Sequence, residues 1–196
     1  MAATSMLMGL LSLAFACQTA RPLPAVATPV APAAFIRSSC MDAPYPTKCF
    51  QALISFAPTI QRSPKQLVDT SLTLSLVKAQ STAAFITKLA KLGSLKPRER
   101  SALADCQRVI GAAAQRLKDS IRELRSVELE ARSRGLVSNL QTWVSAALTN
   151  ENTCADGFAD GSVNGSTKDS IIERIVDVGQ TTSNALALIN KYGTSL

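Results

Sequence analysis

No proline follows Pro97, and through that stretch apolar residues return every three or four positions. Proline lacks an N–H and crowds the preceding turn, so its absence lets helices run long. The register is sharpest just after Pro97, where Leu103, Cys106, Ile110, Ala113, Leu117, Ile121 and Leu124 share one face, the spacing of an amphipathic helix. An earlier segment, about 65–92, carries Val68, Leu72, Leu76, Ala79, Ala83, Ile86 and Ala90 in the same way and ends at Gly93, a residue suited to a left-handed cap. Two more stripes follow, Leu136, Leu140, Trp143 and Ala147 over about 135–149, then Ile172, Ile175, Gly179, Thr182, Leu186 and Ile189 over about 168–191 before Gly193. Four stripes joined by short connections near 93–97 and 128–134 predict an all-α fold, an up-down-up-down four-helix bundle over residues 64–196. Gly111 and Gly179 interrupt two stripes at about 1 kcal/mol each relative to Ala. Close approach of neighbouring backbones is the expected compensation.

The composition agrees with helices and narrows the chemistry. Aromatic residues make up 5% of a chain that is 46% apolar, a poor supply for a β-sandwich and a good one for Ala- and Leu-rich helices. Histidine is absent. That removes Ser-His-Asp and Cys-His nucleophile systems, His-ligated zinc and the imidazole proton shuttle. Asp156 with Asp160, or Glu128 with Glu130, could form carboxylate pairs, but nothing beside them would split their pKa values. No catalytic residue, metal site or cofactor is expected.

At the amino terminus, Leu7 to Ala16 form an apolar run too short to span a bilayer, which takes about 20 residues. Its length fits the core of a secretory signal, and Ala14-Phe15-Ala16 supplies the small residues that signal peptidase accepts. Residues 1–16 therefore read as a signal peptide. The next segment, 17–34, holds Pro22, Pro24, Pro29 and Pro32 among alanines and valines and reads as a flexible extended tail. The expected product is secreted and extracellular, with no membrane attachment after signal removal.

Setting Cys17 aside, Cys40, Cys49, Cys106 and Cys154 are an even set in a chain bound for an oxidising compartment, which points to disulfides. Three pairings are possible. The turn Ala43-Pro44-Tyr45-Pro46 folds the chain back between Cys40 and Cys49, which favours that pair and leaves Cys106 with Cys154. On the chain-entropy model the shorter loop contributes about 3 kcal/mol and the longer about 4. A metal site is the rival, but no C-x-x-C pair is present. The first bridge would close a small helical hairpin over 35–63, with Phe35, Ile36, Phe50 and Leu53 as its apolar contacts. The second would pin two bundle helices at one end.

With these elements in place, the chain resembles the plant invertase and pectin methylesterase inhibitors. The resemblance lies in Cys40 to Cys49 with its Tyr45-Pro46 step, Ala104-Asp105-Cys106, and Thr142-Trp143-Val144-Ser145-Ala146-Ala147-Leu148-Thr149. It continues through Thr153-Cys154-Ala155-Asp156-Gly157-Phe158 and Ser183-Asn184-Ala185-Leu186-Ala187-Leu188. It covers residues 35–196 and implies the same bundle, hairpin and disulfides. The Thr142 to Phe158 stretch is similar to the pectin methylesterase branch and to the pro-regions of those esterases, and a free-standing inhibitor is expected because the chain stops at Leu196.

The resemblance implies a protein that covers the esterase cleft in a one-to-one complex without chemistry of its own. Acid invertase is the alternative target, and a non-inhibitory structural or pectin-binding module is a third possibility. Target-facing residues map onto Thr153 and onto the helix after Cys106. There the family pattern often has acidic and tyrosine side chains, whereas this chain has Arg108, Ile110, Ala112 and Gln115. Arg108, Ala112 and Gln115 still share one helix face and, with Thr153, make up the expected target-binding set.

Charge adds a second expectation. Lys and Arg number 21 against 14 Asp and Glu, a net +7, and ten basic residues against six acidic lie between Lys96 and Arg134. This favours a salt-sensitive attraction to de-esterified pectin, an anionic polymer. Nucleic acid is a poor partner for a secreted chain without an aromatic stacking array. Asn164-Gly165-Ser166 is a glycan acceptor sequence between the last two helices, and Asn164 the expected glycosylation site.

Overall fold

A computed structural model describes residues 30–91, 95–126, 133–158 and 165–195, and no strand occurs among them. The segment 1–16, the start of the following tail, Gly93, Glu128, Glu130, Asp160 and Asn164 lie outside the described residues. The helices are α1 (Val30–Cys40), α2 (Pro46–Leu53), α3 (Ala57–Ile60), α4 (Pro64–Ala90), α5 (Pro97–Ser126), α6 (Ser133–Asp156) and α7 (Ser166–Thr194), with a 3₁₀ turn at Ile54–Phe56.

The four long helices form a ring in which α4 packs on α5, α5 on α6, α6 on α7, and α7 back on α4. Side-chain bonds between neighbours fix their directions. Arg125 at the end of α5 donates twice to Asp69 near the start of α4, at 2.7 and 2.9 Å. Asn139 near the start of α6 donates to Glu123 near the end of α5, while Gln141 donates to Asn190 of α7. Each contact pairs an early turn with a late one, so successive helices run antiparallel, as the short connections predicted.

Helix ends follow local chemistry. Pro64 and Pro97 open α4 and α5, where a missing N–H costs nothing, and the Ser63 hydroxyl accepts from the Gln66 N–H at 3.2 Å to cap α4. Gly165, with φ at 76°, turns the chain into α7. Within the bundle, Val144 is fully buried while Trp143 is half-buried, and Ile171 and Ala185 take the central places expected of Ile172 and Leu186. The stripes are real but rotated by one residue at these points.

Three expectations change. First, residues 30–34 are the opening turn of α1, not tail. Pro32 sits in that first turn, where no intrahelical N–H bond is lost, and is buried with Ile36, Ser39 and Cys40. Second, α6 does not stop near residue 149. Glu151 and Cys154 continue its buried face and the helix reaches Asp156, so Cys154 lies within it. Third, the helix glycines are not sites of close backbone approach. Nothing lies within 4 Å of a Cβ placed on Gly111, and the nearest atom to one on Gly179 is a side-chain carbon at 3.9 Å. The tight position is Gly193, expected only to follow the last helix. It lies inside α7, where a Cβ would stand 2.8 Å from Val137 Cγ1.

The amino-terminal hairpin lies across α4 and α7. Ile36, Cys49, Leu53 and Ile60 join one apolar core with Leu67, Val68, Leu72, Leu188 and Tyr192. Asn184 of α7 grips the turn between α1 and α2, accepting from the Tyr45 N–H at 2.9 Å and donating to its carbonyl at 3.1 Å. Lys48 and Lys78 reach Asp177 from α2 and α4 at 2.5 and 2.6 Å. Partial burial would raise the Asp177 pKa, but hydrogen bonds from the two ammonium groups outweigh it and hold the carboxyl below its ordinary value. A second apolar cluster fills the opposite end of the bundle with Ile86, Leu103, Ile110, Phe158 and Ile175 around the Cys106–Cys154 bridge.

Candidate functional site

Both disulfides are present, Cys40 with Cys49 and Cys106 with Cys154. The second brings the α-carbons of α5 and α6 within 4.5 Å and ties the turn carrying Arg108 to the turn carrying Thr153. A covalent tie at this point holds two exposed helix faces in one relative position without using side-chain area on the outside.

On α5, Arg108, Ala112 and Gln115 are all exposed, and Gly111 beside them adds no side chain. Arg108 lies 3.5 Å from Asp105 one turn back, a solvated pair worth little to stability. Gln115 donates to Asp119 at 2.9 Å, and Arg122 reaches the same carboxylate oxygen at 3.0 Å. The face is a shallow strip with a basic side chain at one end, a bare centre of Gly111 and Ala112, and an anchored amide at the other. Apolar and polar contact is possible there, but the acidic character that the family pattern often carries is replaced by Arg108.

On α6, Thr142, Thr149 and Thr153 are exposed, and each hydroxyl donates to the carbonyl four residues earlier, at 2.9, 3.0 and 2.8 Å. Thr153 is one of the residues expected to face the target. Its proton is committed to the Thr149 carbonyl, so toward a partner the oxygen presents lone pairs and accepts.

Sequence reasoning missed Glu151. It lies in the bundle interior with no exposed surface, its Oε1 accepting from the Thr182 hydroxyl at 3.0 Å, while Oε2 has no partner among the described residues. Burial pushes its pKa up to about 8, against the smaller opposing pull of the Thr182 bond. The signal was available. Adding four to Ala147, the last residue of the predicted stripe, reaches Glu151, and Thr182 already stood on the facing stripe. Among the described residues no group of His, Cys, Asp and Glu is placed to hold a metal ion, and no helix is long and apolar enough to cross a membrane.

Comparison with known proteins agrees with this architecture. Residues 34–188 match the model of the family described as plant invertase/pectin methylesterase inhibitor. Pectinesterase inhibitor 11 of Arabidopsis thaliana is 45% identical over 162 residues, covering 81% of this chain and 80% of that protein. A 21 kDa protein of Daucus carota is 39% identical over 161 residues, 81% of this chain and 83% of its own. A crystal structure of a mutant form of a pectin methylesterase inhibitor from Arabidopsis superposes with a TM-score of 0.65 over 79% of this chain and 95% of that one, at 20% identity, a likeness of fold. A disulfide-tied ring of four antiparallel helices under a closed hairpin, matched in sequence over nearly its whole described length, belongs to the plant invertase/pectin methylesterase inhibitor family.

Proposed function

We propose that this chain is a secreted inhibitor of pectin methylesterase. The observation that carries the reading is the long match to a relative named as a pectinesterase inhibitor, with 45% identity spread over four-fifths of both chains. The geometry is suited to a blocking role. The helices are cross-linked at one end and their outer faces offer contact groups, and among the described residues no group of His, Cys, Asp and Glu is placed to hold a metal ion.

On this reading one inhibitor meets one esterase with the α5–α6 face, where Arg108, Ala112, Gln115 and the Thr153 oxygen contact the rim of the cleft and exclude pectin. The family description also names invertase, which makes acid invertase the second target to test. The net charge of +7 further supports a weak association with anionic pectin, which would hold the inhibitor near the substrate of its target.

Thr153→Trp tests the face. The side chain is exposed and closes no core contact, so thermal stability should stay within about 0.5 kcal/mol of the unmodified chain. Inhibition should weaken by about tenfold or more, since a bulky group would lift the surfaces apart. Parallel loss of stability and inhibition would assign Thr153 a structural role alone.

A further inference from the structure

Between Asp69 and Asp105 the chain carries six basic residues and a single acidic one, Glu99. Lys78 is held by Asp177. The other five, Lys88, Lys91, Lys96, Arg98 and Arg100, are exposed and make no ion pair among the described residues. They gather at one corner of the bundle, the end of α4 and the start of α5. Leu89, Ala90, Leu95 and Ala102 pack there on the apolar cluster around the Cys106–Cys154 bridge, so the two helix ends share one base.

Helix electrostatics account for part of this cluster. Lys88 and Lys91 stand at the C-terminal end of α4, where the macrodipole favours cations. Lys96, Arg98 and Arg100 stand at the N-terminal end of α5, where the same dipole opposes them. Glu99 is the one residue of that turn with the favoured sign, and its Oε2 accepts from the Lys96 N–H at 2.8 Å. Folding therefore gains nothing from three cations at this position. Like charges so placed repel one another until an anion stands between them.

We propose that the α4–α5 corner is where the protein binds de-esterified galacturonan, the uronate carboxylates lying across Lys88, Lys91, Lys96, Arg98 and Arg100. The inference rests on the association with pectin read above from net charge, and gives that association a place. Exposed cations spread over two helix ends meet an extended chain of charges better than a single small anion. Arg100 precedes Arg108 by eight residues, about 12 Å along α5. The polymer and the proposed esterase-facing strip thus occupy neighbouring stretches of one helix. Removing methyl esters exposes carboxylates, so an esterase at work would strengthen the hold of its own inhibitor on the polymer.

The test follows binding of de-esterified oligogalacturonate to the oxidised mature protein by calorimetry at low salt, with the fully methyl-esterified oligomer as the uncharged control. One variant combines Lys96→Gln, Arg98→Gln and Arg100→Gln. A second combines Arg62→Gln, Arg116→Gln and Lys118→Gln, at exposed cations elsewhere that also make no ion pair among the described residues. Both remove three positive charges from the same +7. The corner variant should bind the de-esterified oligomer about tenfold or more weakly, and the second variant within about twofold of the unmodified chain. The corner variant's thermal midpoint should hold or rise, since the removed charges opposed the α5 dipole. Equal losses in the two variants overturn the inference, because net charge alone would then bind the polymer. Equal binding of the two oligomers by the unmodified chain overturns it as well. Esterase inhibition measured on the same proteins separates the readings. An unmodified chain that inhibits but binds no oligomer ends the pectin association and the corner with it; one that binds at the corner but leaves the esterase untouched keeps the corner and ends the inhibitor reading.

Discussion

A carboxyl group inside a helical bundle couples folding to pH. Glu151 is pushed from its ordinary 4.5 to about 8 by burial, so the native state holds its proton more tightly than the unfolded chain does. The resulting stabilisation is complete below about pH 4 and is lost progressively as pH rises through the folded-state value near 8, on the order of 5 kcal/mol in all. Glu151→Gln keeps the shape and an oxygen for the Thr182 hydroxyl but cannot ionise. Denaturant unfolding at pH 5 and pH 8.5 should show the unmodified chain losing several kcal/mol more than this variant. Equal losses would mean that Glu151 does not carry the pH dependence. The residue was hard to read from sequence because a lone Glu among Asn150 and Asn152 looks like a solvated helix end, and only the full length of α6 turns it inward.

Helix interiors treat glycine according to what faces it. Gly111 is exposed on α5 with nothing near its missing side chain, so Gly111→Ala should add about 1 kcal/mol of stability. Gly193 on α7 faces Val137 Cγ1 at 2.8 Å, so Gly193→Ala should cost about 1–3 kcal/mol, partly recovered when Val137→Ala is added. Thermal melts of the three variants check both signs, and a stabilising Gly193→Ala would refute the proposed contact. The long helices, their antiparallel order and the two disulfides were legible because proline placement, stripe periodicity and the turn at Pro44 and Pro46 act locally. The start of α1 at Val30 was not, because a proline-rich composition hides the one position, the first turn, where Pro32 is compatible with a helix. The purpose of Gly193 was not legible either, since it depends on how closely α7 approaches α6.

The whole molecule is a basic bundle whose outer faces differ in character. The α5–α6 side presents Arg108, the bare Gly111–Ala112 strip and the threonine oxygens, while the α6–α7 side presents a small groove lined by Leu148, Asn152, Val176 and Gln180. The family resemblance in sequence pointed to the first side and gave no hint of the second, since grooves arise from the register of two helices rather than from either alone. Retention on polygalacturonate should fall steeply between about 0.05 and 0.5 M salt, as screening shortens the reach of a +7 surface. Salt-independent retention would require a contact other than charge. Titrating the purified mature protein against one pectin methylesterase and one acid invertase, with residual activity as the readout, decides what the bundle is for. Esterase activity should fall in proportion to added protein and end near one equivalent while invertase stays active; an untouched esterase, or inhibition of invertase alone, would contradict the function proposed for it.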